Sequence, residues 1–260
     1  MSYGYTGKIL HVNLTTSEIK VEEPDEQFYR TYMGGSAMGM YYVLKETPAG
    51  AEALSPENVL ALCTGVVTGT PISGQSRLTS VAKSPLTGCI GDAQGGGYFP
   101  AEMKFSGFDA VIIKGKSPKP VYLWMHHGEA ELRDASHLWG MTTGDAEDKL
   151  KEELEDKRIE VLQIGPAGEN LVRFAALISM SNRANGRTGM GAGMGSKNLK
   201  AVVVRGKQKP TIANPEKFKE LQKLAKTNLE PTGMDDFGKY GTPDVCSPQN
   251  KSGGLPTYNF

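Results

Sequence analysis

Two distant stretches of the chain echo each other, and that echo restricts the fold more than any other feature. Ala110-Val-Ile-Ile-Lys-Gly-Lys-Ser-Pro-Lys-Pro120 matches Ala201-Val-Val-Val-Arg-Gly-Lys-Gln-Lys-Pro210. Upstream of each, Val59-Leu-Ala-Leu-Cys-Thr-Gly65 is paralleled by Val161-Leu-Gln-Ile-Gly-Pro-Ala-Gly168. Between the members of each copy lies a glycine-rich segment, Gly88 to Gly97 in the first and Gly186 to Gly195 in the second. The pattern predicts a duplicated, strand-rich unit in an α+β fold.

Local patterns fill in that outline. Lys8–Leu14 and Glu18–Glu22 flank the turn residues Thr15-Thr16-Ser17 and read as a hairpin. Residues 25–46 carry helical spacing interrupted at Gly34-Gly35. Short apolar runs bounded by glycine or proline then fit buried strands: Val59–Cys63, Leu78–Ala82, Ala110–Ile113, Val121–Met125, Ile159–Ile164, Phe174–Ile178 and Ala201–Val204. Residues 143–156 place Ala146, Leu150 and Leu154 on one helical face, with Glu147 and Lys151 as an ion pair expected on the outside. Residues 214–229 open with Asn214 as N-cap and Pro215 at the first helical position. The composition loosens after Glu230. We therefore divide the chain into a main domain over 1–210 and a helix and linker over 211–260 that begins a second domain.

Bulk properties remove several classes of function. Lys plus Arg and Asp plus Glu both number 29, so the chain lacks the basic excess of a general nucleic-acid binder. Cys63, Cys89 and Cys246 lie far apart with no C-x-x-C pair, which argues against a disulfide framework and against a self-contained zinc or iron–sulfur site. No stretch approaches the roughly 20 apolar residues of a membrane-spanning helix, and the N-terminus lacks a signal-peptide pattern. A cytoplasmic location is expected.

The chemistry concentrates in two Gly-Arg segments. Backbone without Cβ lets N–H groups converge on an anion, and a guanidinium adds a planar fork of donors suited to phosphate. One segment is Ser73-Gly-Gln-Ser-Arg77 followed by Gly91-Asp-Ala-Gln-Gly-Gly-Gly-Tyr-Phe99. The other runs from Asn182 through Arg183, Gly186 and Arg187 to Gly195. Two such cradles in a duplicated unit suit one ligand with two phosphates, or two phosphorylated ligands. Tight turns and close strand packing without a ligand are the competing explanation. The second segment meets neither the P-loop pattern, because Ser196 and Asn198 break it, nor the G-x-G-x-x-G dinucleotide fingerprint. His126-His127-Gly128 reads as a hairpin turn, His137 as a packed loop residue, Cys63 as core, and Cys89 as the cysteine nearest the glycine cluster.

At these segments the chain resembles the aldehyde:ferredoxin oxidoreductase family. The stretches that carry the resemblance are Leu54-Ser-Pro-Glu-Asn58, Lys83-Ser-Pro-Leu-Thr-Gly88, Gly96-Gly-Tyr-Phe99, Glu102-Met-Lys-Phe-Ser-Gly-Phe-Asp109, Arg133-Asp-Ala-Ser-His137, Ile164-Gly-Pro-Ala-Gly-Glu-Asn170 and Met194-Gly-Ser-Lys-Asn-Leu-Lys200. They extend from residue 5 to about 206, and Lys239-Tyr-Gly-Thr242 and Asn259-Phe260 resemble the start of the family's second domain.

The resemblance implies a base domain of two intertwined repeats on which a tungsten (occasionally molybdenum) bis-pterin lies beside a [4Fe–4S] cluster. It implies an oxidoreductase that converts aldehydes to carboxylic acids and passes electrons to ferredoxin or another carrier. A magnesium ion bridges the pterin phosphates in the family. By matched position, Gln94 and Ala184 supply backbone carbonyls on the magnesium side, Arg77 lies between pterin and cluster, and Arg183 contacts phosphate or pterin. Gly95 and Gly96 allow close backbone approach, and Arg187 belongs to the second Gly-Arg cradle. Many relatives carry Asn where Gln94 stands, which matters only if the side chain is the ligand. The cluster cysteines, the acid/base candidates and the family's dimer contacts lie downstream of these residues, so catalysis by this chain alone is not expected. Two alternatives stay open: a stand-alone domain that binds phosphorylated ligands or partners without redox chemistry, and a family member acting on a non-aldehyde substrate.

Overall fold

The computed structural model describes residues 3–227, 234–256 and 258, which fall into two compact units, residues 1–213 and 214–260. The first unit is a strand-for-strand duplication. Its first repeat contains β1 (Ile9–Asn13), β2 (Glu18–Glu22), α1 (Glu26–Thr31), α2 (Gly35–Glu46), β3 (Leu60–Thr64), β4 (Leu78–Lys83), β5 (Ile90–Gly95), α3 (Phe99–Phe105) and β6 (Ala110–Lys114). The second contains β7 (Val121–His126), β8 (Glu129–Asp134), α4 (Thr143–Glu153), β9 (Glu160–Gln163), α5 (Pro166–Glu169), β10 (Leu177–Ser179), β11 (Arg183–Asn185), α6 (Met190–Gly195) and β12 (Leu199–Arg205). Each repeat makes one six-stranded mixed sheet, ordered β2-β1-β6-β3-β4-β5 in the first and β8-β7-β12-β9-β10-β11 in the second. The two echoing stretches are β6 and β12, each pairing in parallel with the first strand of its own repeat.

Alternation along the strands builds four layers. Val111 and Ile113 of β6, Leu60 and Leu62 of β3, and Val202 and Val204 of β12 all enter one core between the sheets. Their neighbours Ala110, Ile112, Ala61 and Cys63 face outward under Met38, Tyr42 and Val43 of α2. On the far side, Ala201 and Val203 meet Leu150 of α4. The repeats intertwine through their short helices: α3 packs on β9 and β12 of the other repeat, and α6 on β3 and β4. One polar tie across the repeats is a fork, with Arg205 donating to Glu102 of α3 at 2.7 Å and to Asp156 at 2.7 Å.

Several expectations need correction. The run Phe174–Ile178 is not one strand: β10 begins at Leu177, and Phe174 is 72 % exposed. Glu147 and Lys151 do pair at 2.6 Å, but Glu147 is buried rather than outside, and it also accepts from Ser181 Oγ at 3.1 Å. His137 is not packed in a loop. It is exposed in a 3-10 turn with its Nε2 2.9 Å from Glu153. The His127-Gly128 pair does form the β7–β8 turn, with φ of 50° and 91°. Gly88–Gly97 is mostly strand, since β5 occupies it, and Met190–Gly195 is a fully buried helix.

The second unit holds α7 (Pro215–Thr227), α8 (Met234–Tyr240), a 3-10 turn at Thr242–Val245 and α9 (Cys246–Ser252). Asn214 caps α7 by accepting the Lys217 N–H at 2.9 Å. Asn228 and Leu229, the end of the expected helix, lie outside the described residues, as does Asn259-Phe260.

Candidate anion and cofactor site

The outer strands β5 and β11 belong to different sheets, yet they come together where the repeats meet. Register makes them twins. Leu78 faces Gly95 and Thr79 faces Gln94 in the β4–β5 pair; Leu177 faces Asn185 and Ile178 faces Ala184 in the β10–β11 pair. Gln94 and Ala184 therefore occupy equivalent places in the two repeats, as do Gly95 and Asn185. Between them opens a cleft of about 660 Å³ lined by Arg77, Asp92, Ala93, Gln94, Ala184, Gly186 and Arg187.

Each wall is built by local chemistry. Arg77 immediately precedes β4, and its arm is fastened by the buried Thr68, whose hydroxyl lies 3.2 Å from the Gln75 carbonyl and 3.4 Å from that of Arg77. Ser76 Oγ donates to the Gly97 carbonyl, joining that arm to the end of β5. Gln94 is exposed and its amide lies 3.4 Å from Asp92 Oδ1. On the opposite wall Ala184, Gly186 and Arg187 are exposed, and a Cβ at Gly186 would meet only Ala184 Cβ, at 3.8 Å, so its backbone is open to a ligand.

Of the seven residues singled out in the sequence, Arg77, Gln94, Ala184 and Arg187 share this cleft. Gly95 does not face it. Gly95 is buried, and a Cβ there would come within 2.3 Å of Asn185 Oδ1, so its role is close packing of one repeat on the other. Gly96 is half-buried with space toward Ser76. Arg183 is exposed and stands beside Gly97, outside the cleft lining. The glycines after Arg187 form the interior helix α6 rather than an anion loop; a Cβ at Gly189 would lie 1.9 Å from the Arg173 carbonyl. Close packing thus accounts for Gly95 and Gly189, whereas Gly186 leaves its backbone open at the cleft. Asp92 and Asn185 were inside quoted motifs but gave no sequence signal of their own; only the strand register shows what they face.

Cys63 and Cys89 stand apart from the cleft. Cys63 is buried, and burial pushes its thiol far above the ordinary range, so it is a core residue. Cys89 is exposed but lines a separate groove with Leu44 and Ile90. Among the described residues no three His, Cys, Asp or Glu side chains form a metal-binding group, and no helix is long and apolar enough to cross a membrane.

Two arginines, a carboxylate, an amide and open backbone, contributed by equivalent strands of two repeats, suit a polyanion accompanied by a hard cation better than an apolar ligand. Comparisons with known proteins point the same way. Residues 9–206 match the family described as aldehyde ferredoxin oxidoreductase, N-terminal domain. A tungsten-containing aldehyde ferredoxin oxidoreductase of Pyrococcus abyssi is 47 % identical over 260 residues, covering 99 % of this chain and 43 % of the relative. The aliphatic sulfonate oxidoreductase WOR-like subunit of Pyrococcus furiosus is 35 % identical over 256 residues, covering 92 % of this chain and 40 % of that protein. Among solved structures, the active site complex BamBC of benzoyl coenzyme A reductase in complex with 1,5-dienoyl-CoA superposes with a TM-score of 0.83 at 37 % identity, covering 86 % of this chain and 34 % of that one. This chain thus spans less than half the length of these relatives. Matched across nearly its whole main unit, with the duplicated fold expected of such a domain, the chain belongs to the aldehyde ferredoxin oxidoreductase family.

Proposed function

We propose that this chain is the base on which the phosphate ends of a tungsten or molybdenum bis-pterin rest, in an enzyme that oxidises aldehydes to carboxylic acids. The observation that carries the reading is the cleft between β5 and β11, where Arg77 and Arg187 come from opposite repeats to one polar cavity. Arg77 and Arg187 bind the phosphate oxygens by charge-assisted hydrogen bonds. Gln94 and Ala184, at equivalent register positions of the two repeats, would offer backbone carbonyls to a magnesium ion accompanying the phosphates. Asp92 adds the negative charge that a divalent cation favours and a bare phosphate does not. Gly186 lets the ligand lie against the backbone. When bound, the cofactor supplies the two-electron chemistry; the protein supplies orientation and charge. A [4Fe–4S] cluster, where bound, would supply the one-electron path to ferredoxin or another carrier. Support for ferredoxin as the carrier is the relatives' names, and a cytoplasmic location belongs to the same proposal.

Aldehyde is favoured over other substrates because the relatives named for it are 43–47 % identical, against 35 % for the sulfonate oxidoreductase subunit. The test is a titration of the purified chain with a 6-substituted pterin phosphate in magnesium buffer, followed by pterin fluorescence. Saturable binding is expected, weakened about tenfold or more by Arg77→Ala and by Arg187→Ala, in line with the loss of a charged hydrogen bond of about 1.5–3 kcal/mol. Absence of binding, or binding indifferent to both substitutions, overturns the assignment.

A further inference from the structure

The cleft's two walls come from strands that share no hydrogen-bonded ladder, since β5 ends one sheet and β11 ends the other. Something else must hold them at a fixed distance. One buried side chain bridges the residues of the two walls. Asn185 is 1 % exposed, and its Nδ2 donates across the repeat boundary to the Ala93 carbonyl at 2.9 Å and Ser80 Oγ at 3.1 Å, with the Leu78 carbonyl at 3.4 Å. Its chain neighbours Ala184 and Gly186 line one wall, and Ala93 with Gln94 lines the other. The notch that receives it is Gly95, its own register twin, where a Cβ would sit 2.3 Å from Asn185 Oδ1. One repeat therefore carries a knob where the other carries a hole.

Other ties flank this one. Ser84 Oγ donates to the Thr188 carbonyl at 2.8 Å, and the Tyr98 N–H donates to Met180 Sδ at 3.1 Å. Those contacts bracket the two strands and keep the repeats together. Between those two ties, the polar contacts from β11 to β4 and β5 are those of Asn185.

We propose that Asn185 is a positioning residue that sets the width of the cleft, and hence the separation at which two phosphate groups are held. The inference rests on reading the cleft as a phosphate cradle. A ligand bridging two subsites loses the second attachment when their separation drifts, whereas a ligand using one subsite does not. The intact 260-residue chain is titrated calorimetrically with inorganic pyrophosphate and, separately, with orthophosphate, in magnesium buffer at a temperature where each variant is folded. Wild type is expected to prefer pyrophosphate. Asn185→Ala should lose about tenfold in pyrophosphate affinity while orthophosphate changes less than about threefold, a shift in selectivity that loss of stability alone does not produce. The register also supplies a rescue. Ser179 stands in β10 where Ser80 stands in β4, so the double variant Gly95→Asn with Asn185→Gly moves the knob to the other repeat and should restore the preference.

Unchanged selectivity in Asn185→Ala, or an equal loss of both ligands, overturns the role of Asn185 and leaves the cradle standing. Should Asn185→Ala fail to fold, the double variant decides: folded with wild-type selectivity it supports the proposal, and folded without it, it refutes it. Wild type that binds neither anion removes the cradle, and this inference with it.

Discussion

Lys197 offers a quantitative test of how the two repeats are joined. It follows α6 and is 1 % exposed, yet among the described residues its Nζ meets the carbonyls of Pro56 and Gly115, each at 3.4 Å, and no carboxylate pairs with it. Burial without a counter-charge disfavours the ammonium and lowers its pKa from 10.5 to about 8. A shift of that size corresponds to about 3 kcal/mol held against the folded state wherever Lys197 is protonated. The sign follows from proton counts. Below pH 8 the lysine is charged in both folded and unfolded chains and the full cost is present; between pH 8 and 10.5 the unfolded chain binds the extra proton, so stability rises with pH. Lys197→Met keeps the stem's packing and removes the charge, at the expense of two long hydrogen bonds. We expect the variant to be more stable than wild type at pH 7 by about 1–3 kcal/mol, and that gap to shrink by about 2 kcal/mol at pH 9.5. Urea unfolding of both proteins at the two pH values measures it, and taking the difference cancels the other titrating groups. A gap that does not change with pH refutes the argument, because it means the amine reaches water or an anion in the folded chain.

Four further outcomes follow from the same contacts. Gly95→Ala places a methyl against Asn185 and should lower stability by about 1–3 kcal/mol in thermal melts, with Gly96→Ala well below that because its Cβ meets only the Ser76 carbonyl at 3.5 Å. Glu160, whose carboxyl burial first and Glu147 second push up to about 7, destabilises the fold as pH rises from 4.5 to 7; Glu160→Gln should gain stability above pH 7 and lose that dependence. A thiol reagent should label Cys89 and Cys246 in the folded chain and Cys63 only on unfolding, as read by mass spectrometry of the labelled peptides. His137→Ala should change stability by less than about 0.5 kcal/mol, as for an exposed ion pair, and leave pterin-phosphate binding unaltered.

The sequence makes the duplication readable because strands buried on both faces are written as short apolar runs closed by Lys-Gly or Arg-Gly turns. β6 and β12 are the clearest case, and they turn out to be equivalent central strands. β5 is a different matter. Ile90-Gly-Asp-Ala-Gln-Gly95 has neither an apolar run nor β-branched residues beyond its first, so propensity marks a loop, and only pairing with β4 along its whole length makes it a strand. The reverse error befalls Phe174, whose apolar character suggests a strand that the chain does not form there. α6 shows a third limit: a run of glycine and methionine has poor helix propensity, but its helix is buried between repeats where a Cβ at Gly191 or Gly195 would collide with backbone, so tertiary packing overrides propensity. Arg77 and Arg187 were legible because glycine and arginine occur together, and Gln94 and Ala184 only by matched position in the family; that these four converge while Arg183 does not is set by how β5 and β11 come together, which local sequence does not encode.

The central claim, that the boundary between equivalent edge strands is the phosphate cradle, is tested most directly by amide chemical-shift mapping of the isotopically labelled chain as pterin phosphate and magnesium are added. The account predicts the largest saturable shifts at the backbone amides of Asp92, Gln94, Ala184, Gly186 and Arg187, from both repeats at once. Shifts confined to one repeat, or centred on the separate polar cleft around His11 and Glu46, would contradict it.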